Sequence, residues 1–247
     1  MKISATIVTL NEERNIARAI ASLGCADEIV VVDSGSSDRT RDIAAGLGAC
    51  VIEEPWRGYA GQKNFAAARA AHDWILSIDA DESVGEALAK EILEVKENGP
   101  RFDGYAFPRR AQYLGRWIRY SGWYPDRKVR LYRRERARWV GEYVHESVRV
   151  EGTVGELRGD LLHFTCDSLS QHLSTIERYT TLAAKEVRAS GQEVTIRRLS
   201  IDPAWTFVRT YVLQRGFLDG PEGLAIAWMA ALYTFLKYAK AREVEQR

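Results

Sequence analysis

Short β-branched apolar runs alternate with segments of helical spacing through the first hundred residues. Residues 3–9 (ISATIVT) read as a buried strand, and 28–33 (EIVVVD) and 74–79 (WILSID) as two more. Between them, 12–23 places Ile16, Ala19, Ile20 and Leu23 on one helical face and stops at Gly24. A second helix is predicted over 38–47, with Asp38 as N-cap and Gly48 as the stop. Residues 49–53 form a third, short strand in chain order, followed by an Ala-rich helix over 61–71 and a helix over 85–96. Strand–helix alternation implies parallel βαβ units, and such sheets bind ligands beyond the carboxyl ends of their strands. Three polar strand ends are thereby selected as one site: 9–13, 33–40 and 79–82.

From Pro100 the pattern changes. Residues 104–109, 128–132 and 146–150 read as strands of a mixed sheet, with an aromatic, Arg-rich stretch at 113–124 between them. Ser168 with Gln171 three residues on forms a capping box, opening a helix whose stripe is Leu169, Leu173, Ile176, Thr180, Ala183 and Val187. Helices over 203–214 and 221–241 follow, with Pro221 suited to a first turn. The domain division read here is 1–165, made of a donor half (1–98) and an acceptor half (99–165), with a helical extension over 166–247.

Composition sharpens this picture at two points. The net charge is +1, yet residues 101–150 carry 13 Lys/Arg against 5 Asp/Glu while the remainder carries 22 against 29. A neutral total hides a basic middle, which attracts phosphates, anionic lipids or nucleic acid. The cysteines, Cys25, Cys50 and Cys166, are scattered and unpaired in spacing, which argues against a disulfide framework or a zinc knuckle and suits a reducing cytosol. The apolar start ends at Asn11-Glu12-Glu13, too early for a signal peptide, and no apolar run is long enough for a membrane span.

The sharpest chemical feature is Asp79-Ala80-Asp81. Two carboxylates just past a buried strand can meet a hard divalent cation, Mg²⁺ or Mn²⁺, whose shell is completed by phosphate oxygens and water. A solvated turn with Asp81 capping the next helix is the plainer alternative. The run Asp33-Ser34-Gly35-Ser36-Ser37-Asp38 suits a tight hydrogen-bonding turn, and it lacks both the dinucleotide and the P-loop glycine spacing. Lys63, near a helix start, suits a diphosphate or else a solvated surface.

The blocks TIVTLNEE, VVDSGSSDRT, GQKNFA and ILSIDADE, in this order and spacing, resemble those of inverting family 2 glycosyltransferases with the GT-A fold. The resemblance implies an α/β, Rossmann-like nucleotide-binding domain with a mixed central sheet and, here, a C-terminal helical extension. It implies a nucleotide-sugar donor, usually a UDP-sugar, and a Mg or Mn cation. Thr9, Asn11, Glu12 and Glu13 match the block lining the nucleoside. Asp33 matches the residue that reads the base, Lys63 a donor-binding position, and Asp79 and Asp81 the pair that holds metal and diphosphate.

The blocks YPDRKVR (124–130) and YVHE (143–146) resemble those of bacterial enzymes including lipopolysaccharide inner-core β-glucosyltransferases. By that resemblance Glu146 is the expected general base with His145 beside it, Asp126 is the alternative, and an edge-strand salt bridge is the structural reading of Glu146. His163, after an apolar run at 159–162, matches a His that meets metal or diphosphate in many GT-A enzymes; a buried core His is the other reading. The expected acceptor is an anionic glycolipid of the lipopolysaccharide core at the inner face of the cytoplasmic membrane. Nucleic acid fits the basic and aromatic stretch less well than the donor blocks do. The last two helices are expected as a hairpin against a membrane surface, a second subunit in a homodimer, or the core. Two other classes remain at this stage: a sugar nucleotidyltransferase, which would need a Gly-rich, Arg-containing loop after the first strand, and a non-catalytic membrane-associated sugar-nucleotide-binding protein.

Overall fold

The computed structural model describes residues 1–141 and 146–243. It divides into two compact units, one of residues 1–109 and 126–163, the other of 110–125 and 164–247.

The first unit starts in the predicted element order, with α1 and α2 shorter than expected and Arg39, not Asp38, at the N-cap of α2: β1 (Ile3–Thr9), α1 (Ile16–Ala21), β2 (Glu28–Asp33), α2 (Thr40–Gly46), β3 (Cys50–Glu53), α3 (Tyr59–Arg69) and β4 (Trp74–Asp79). Strand β1 pairs in parallel with β2 on one side and β4 on the other, and β2 with β3. The two-residue period of the strands sends alternate side chains to opposite faces. Ile3, Ala5, Ile7 and Val31 pack with Ile16, Ala19 and Ile20 of α1, while Val30 and Val32 pack with Ala66 of α3. Both faces of the sheet are therefore covered, as a parallel sheet requires.

A short strand not anticipated in the sequence, β5 (Glu82–Val84), follows the Asp79–Asp81 turn and leads into α4 (Glu86–Asn98). Strand β6 (Gly104–Tyr113) is longer than predicted, β7 (Arg116–Trp117) is short, and β8 (Asp126–Arg133) runs antiparallel to β4 and β6. A separate antiparallel ribbon is made by β9 (Ala137–Val140) and β10 (Ser147–Val150). Then come β11 (Val154–Glu156), parallel to β6, and β12 (Leu161–Cys166), antiparallel to β5. The strand order β3-β2-β1-β4-β8-β6-β12-β5 is that of a mixed sheet.

In the second unit, α5 (Leu169–Ala189) opens at the predicted N-cap, Ser168, with the return bond of the capping box shifted to the residue before it. Ser168 Oγ accepts the Gln171 N–H at 3.2 Å, and Gln171 Oε1 accepts the Asp167 N–H at 3.0 Å. Its buried stripe is Ile176, Thr180, Ala184 and Val187, with Leu169 and Leu173 exposed. Helix α6 (Ile196–Val208) starts well before Pro203, the expected start. Proline removes a single N–H, so the turns before it still form. A π-helical turn, Arg209–Leu213, continues α6, and α7 (Gly220–Glu243) returns along it. A Cβ at Gly223 would run into the Gly216 carbonyl, so the tight entry to α7 needs glycine. The 110–125 segment joins these helices because buried Asp219 accepts the backbone N–H groups of Arg119 (3.1 Å) and Tyr120 (2.9 Å). Among the described residues no helix is long and apolar enough to cross a membrane.

Candidate functional site

Register explains why three motifs distant in sequence meet. Thr9 pairs with Asp33, and Val8 with Asp79, so the carboxyl ends of β2, β1 and β4 lie side by side. The loops beyond them are laced together. Asn11, in the left-handed region at φ 56°, donates its N–H to Ser36 Oγ (2.8 Å), and its Oδ1 accepts the Ser37 N–H (2.8 Å). The Glu12 N–H reaches Thr40 Oγ1 (2.8 Å), and the Glu13 N–H reaches Asp38 Oδ2 (3.1 Å). Asparagine adopts such a φ more readily than most residues. Burial pushes the Glu12 carboxyl above its usual range; its hydrogen bond from Asn15 opposes this, and the Asp81 and Asp38 charges add to it.

Asp33 is fully buried, and its carboxylate accepts the N–H groups of Gly35 (3.0 Å) and Ser36 (2.7 Å) and the Ser36 hydroxyl. In this state it shapes the turn and has little capacity left for a base edge. Thr9 Oγ1, by contrast, is buried and has no partner among the described residues, an orphaned hydrogen-bonding group at the strand end.

Lys63 is not on the surface. Its ammonium lies 2.7 Å from Asp79 Oδ1, 3.1 Å from Glu146 Oε1 and 4.3 Å from the Trp139 ring centre. Position five on α3 buries this lysine, where only ion pairing tolerates a charge. Arg130, on β8, donates Nη2 to Asp79 Oδ2 and to Glu82 Oε1, each at 2.9 Å. Arg109 continues the alternation, 3.4 Å from Glu82 and 2.8 Å from Asp126 Oδ2, and Lys128 lies 3.1 Å from Asp126 Oδ1. Burial alone would raise the Asp79 carboxyl, but Arg130 and then Lys63 hold it well below the usual carboxylate range. A chain of alternating charge thus runs from Glu146 through Asp79 to Asp126. Arg130 and Glu82 were not singled out in the sequence. Both fall inside recognised blocks, and only the fold shows that they face the same carboxylate.

Asp81 is placed differently. It does not cap α4, whose N-cap is Gly85; its Oδ2 lies 3.2 Å from His163 Nε2, brought there by β12 pairing with β5. Asp81 and His163 keep partial exposure, and neither is paired with a Lys or Arg among the described residues. Among the described residues no cluster of three or more His, Cys, Asp or Glu could hold a metal alone. A carboxylate and an imidazole nevertheless fit a divalent cation whose other positions are filled by substrate phosphate and water. Asp79, with both oxygens on cationic side chains, fits that role less well. His145 lies outside the described residues.

The profile of glycosyl transferase family 2 matches residues 4–150. The chain is 35% identical over 252 residues to the lipopolysaccharide core biosynthesis glycosyltransferase LpsC of Rhizobium meliloti, covering 97% of this chain and 92% of that one. It is 34% identical over 255 residues to an uncharacterized glycosyltransferase of Rickettsia typhi, covering 98% and 87%. Among solved structures, S. aureus TarS 1–349 in complex with UDP-GlcNAc matches with a TM-score of 0.50 at 15% identity, over 100% of this chain and 92% of that one. The fold is that of the GT-A glycosyltransferases. The chain belongs to glycosyl transferase family 2.

Proposed function

We propose that the protein is an inverting hexosyltransferase that moves a sugar, glucose or a close relative, from a UDP-sugar to an anionic glycolipid of the lipopolysaccharide-core type. The observation that carries this reading is the Lys63 ammonium, which bridges Asp79 at the donor strand end and Glu146 on the acceptor side. The orphaned Thr9 hydroxyl and the loops at 9–13 and 33–40 would receive the nucleoside, with Asp33 fixing their shape. Asp81 and His163 would hold a Mg²⁺ or Mn²⁺ ion, which when bound supplies Lewis-acid stabilisation of the leaving diphosphate. Asp79 would be oriented toward the donor by Lys63 and Arg130.

The acceptor hydroxyl would attack the anomeric carbon from the face opposite the diphosphate. The new C–O bond forms as the sugar–phosphate bond breaks, and the hydroxyl proton passes to Glu146. Lys63 holds one Glu146 oxygen, Oε1, whereas Asp126 is engaged on both oxygens by Arg109 and Lys128. Glu146 is therefore the better placed base.

The β9–β10 ribbon supports an anionic acceptor. Arg138 and Arg149 are directly opposite across the ribbon, both exposed and without an acidic partner among the described residues. Like charges facing each other across strands are destabilising unless an anion joins them. Glu146 is the residue before β10, so an acceptor phosphate on this pair would sit within a few residues of the base. Arg138→Gln with Arg149→Gln should raise the acceptor KM by roughly tenfold or more, as expected for lost charge-assisted hydrogen bonds. The donor KM should stay unchanged, and a phosphatase-treated core oligosaccharide should not distinguish variant from parent. Equal KM values on the phosphorylated acceptor would remove the ribbon from the acceptor site.

Such an acceptor is embedded in lipid, so the enzyme would work peripherally at the inner face of the cytoplasmic membrane.

A further inference from the structure

The α6–α7 hairpin carries an apolar face that nothing in its own unit covers. Ile201, Trp205, Val208 and Val212 recur at helical spacing along α6 and its π-helical turn, each more than two-fifths exposed. Leu224 and Trp228 on α7 continue the face. They are joined to α6 through the Phe207 ring, 4.7 Å from Trp228, and at the hairpin turn Leu213, Phe217 and Leu218 are exposed as well. Clusters of exposed large apolar side chains on one face mark interaction surfaces more often than ordinary solvent-facing ones.

Charge decides what covers it. Arg209 and Arg215 are exposed at the turn. The acidic residues of 201–228 are withdrawn: Asp219 is buried on backbone N–H groups, Asp202 is half-buried, and Glu222 is half-buried with Arg116 3.8 Å away. A second copy docked about a two-fold axis would press this patch onto itself and bury Arg209 and Arg215 against a surface whose own acidic residues are withdrawn. A bilayer with anionic headgroups instead receives tryptophans at its interface and arginines at its phosphates.

We propose that this hairpin face is a monotopic membrane anchor. It lies in the plane of an anionic lipid surface, with Trp205 and Trp228 at the acyl boundary and Arg209 and Arg215 on headgroup phosphates. This names the part of the chain that would perform the peripheral attachment proposed above and rests on that reading only for its biological setting, since lipid binding needs neither donor nor acceptor.

The full chain should sediment with vesicles of phosphatidylcholine mixed with phosphatidylglycerol and far less with phosphatidylcholine alone. Arg209→Gln with Arg215→Gln should weaken that binding by roughly tenfold or more. Brominated lipids should quench part of the tryptophan fluorescence, and Trp205→Phe with Trp228→Phe should remove the quenched part while circular dichroism stays unchanged. Failure of the intact chain to bind anionic vesicles would overturn the proposal. So would a concentration-dependent dimer that Trp228→Ser dissolves, which would assign the face to a second copy. Vesicle binding without any nucleotide response would leave the anchor standing and sink the transferase reading instead.

Discussion

Glu146→Gln is expected to lower the transfer rate by about 100- to 10,000-fold, the usual range for loss of a general base. Glutamine keeps the shape of the side chain and can still accept the Lys63 hydrogen bond through its amide oxygen, so the buried network should survive. Nucleotide binding should be unchanged, because the substitution leaves the strand ends at Thr9, Asp33 and Asp79 untouched. Steady-state kinetics should show the loss in kcat, with little change in donor KM. Asp126→Asn should act differently, by loosening Arg109 and Lys128. Full activity of Glu146→Gln, with loss in Asp126→Asn, would move the base to Asp126.

Lys63→Met should have the largest effect on stability. Lys63 is almost wholly buried, and its ammonium is shared by two largely buried carboxylates. Removing one partner from a buried ion pair leaves uncompensated charge and costs about 3–5 kcal/mol. Asp79 keeps Arg130, but among the described residues Glu146 has no second cation within ion-pair distance, and Arg130 acts on it only from further away. For a chain of this size the melting temperature should fall on the order of 10 °C. A melting temperature equal to the parent's would show that the Lys63 pairs contribute nothing to the fold.

Much of the donor half was legible in the sequence because its signals are local. β1, β2 and β4 were bounded as observed, since each is a short apolar run ended by polar residues. Parallel pairing then follows from the intervening helices. The acceptor half was less legible. β5, β9 and β11 are three- or four-residue strands without an apolar run of their own, and β5 and β11 form through pairing across long sequence separations. The same limit applies inside the site. Asp79 and Asp81 look equivalent in sequence, yet strand register gives Asp79 to Lys63 and Arg130, and β12 gives Asp81 to His163. Lys63 could be read as a surface donor-binding lysine, because nothing local to α3 reveals that its ammonium meets Asp79 and Glu146.

The most direct test of the central claim is the thermal stabilisation of the purified protein by a nucleotide panel, with and without Mn²⁺. UDP with metal should stabilise the protein by about 2.7 kcal/mol at 100 times its dissociation constant. Other nucleotides or metal alone should do little, and Asp81→Asn should lose the metal-dependent part while keeping the parent's melting temperature without ligand. Equal stabilisation by every nucleotide, or none by UDP with metal, would contradict the donor site built here from the ends of β1, β2 and β4.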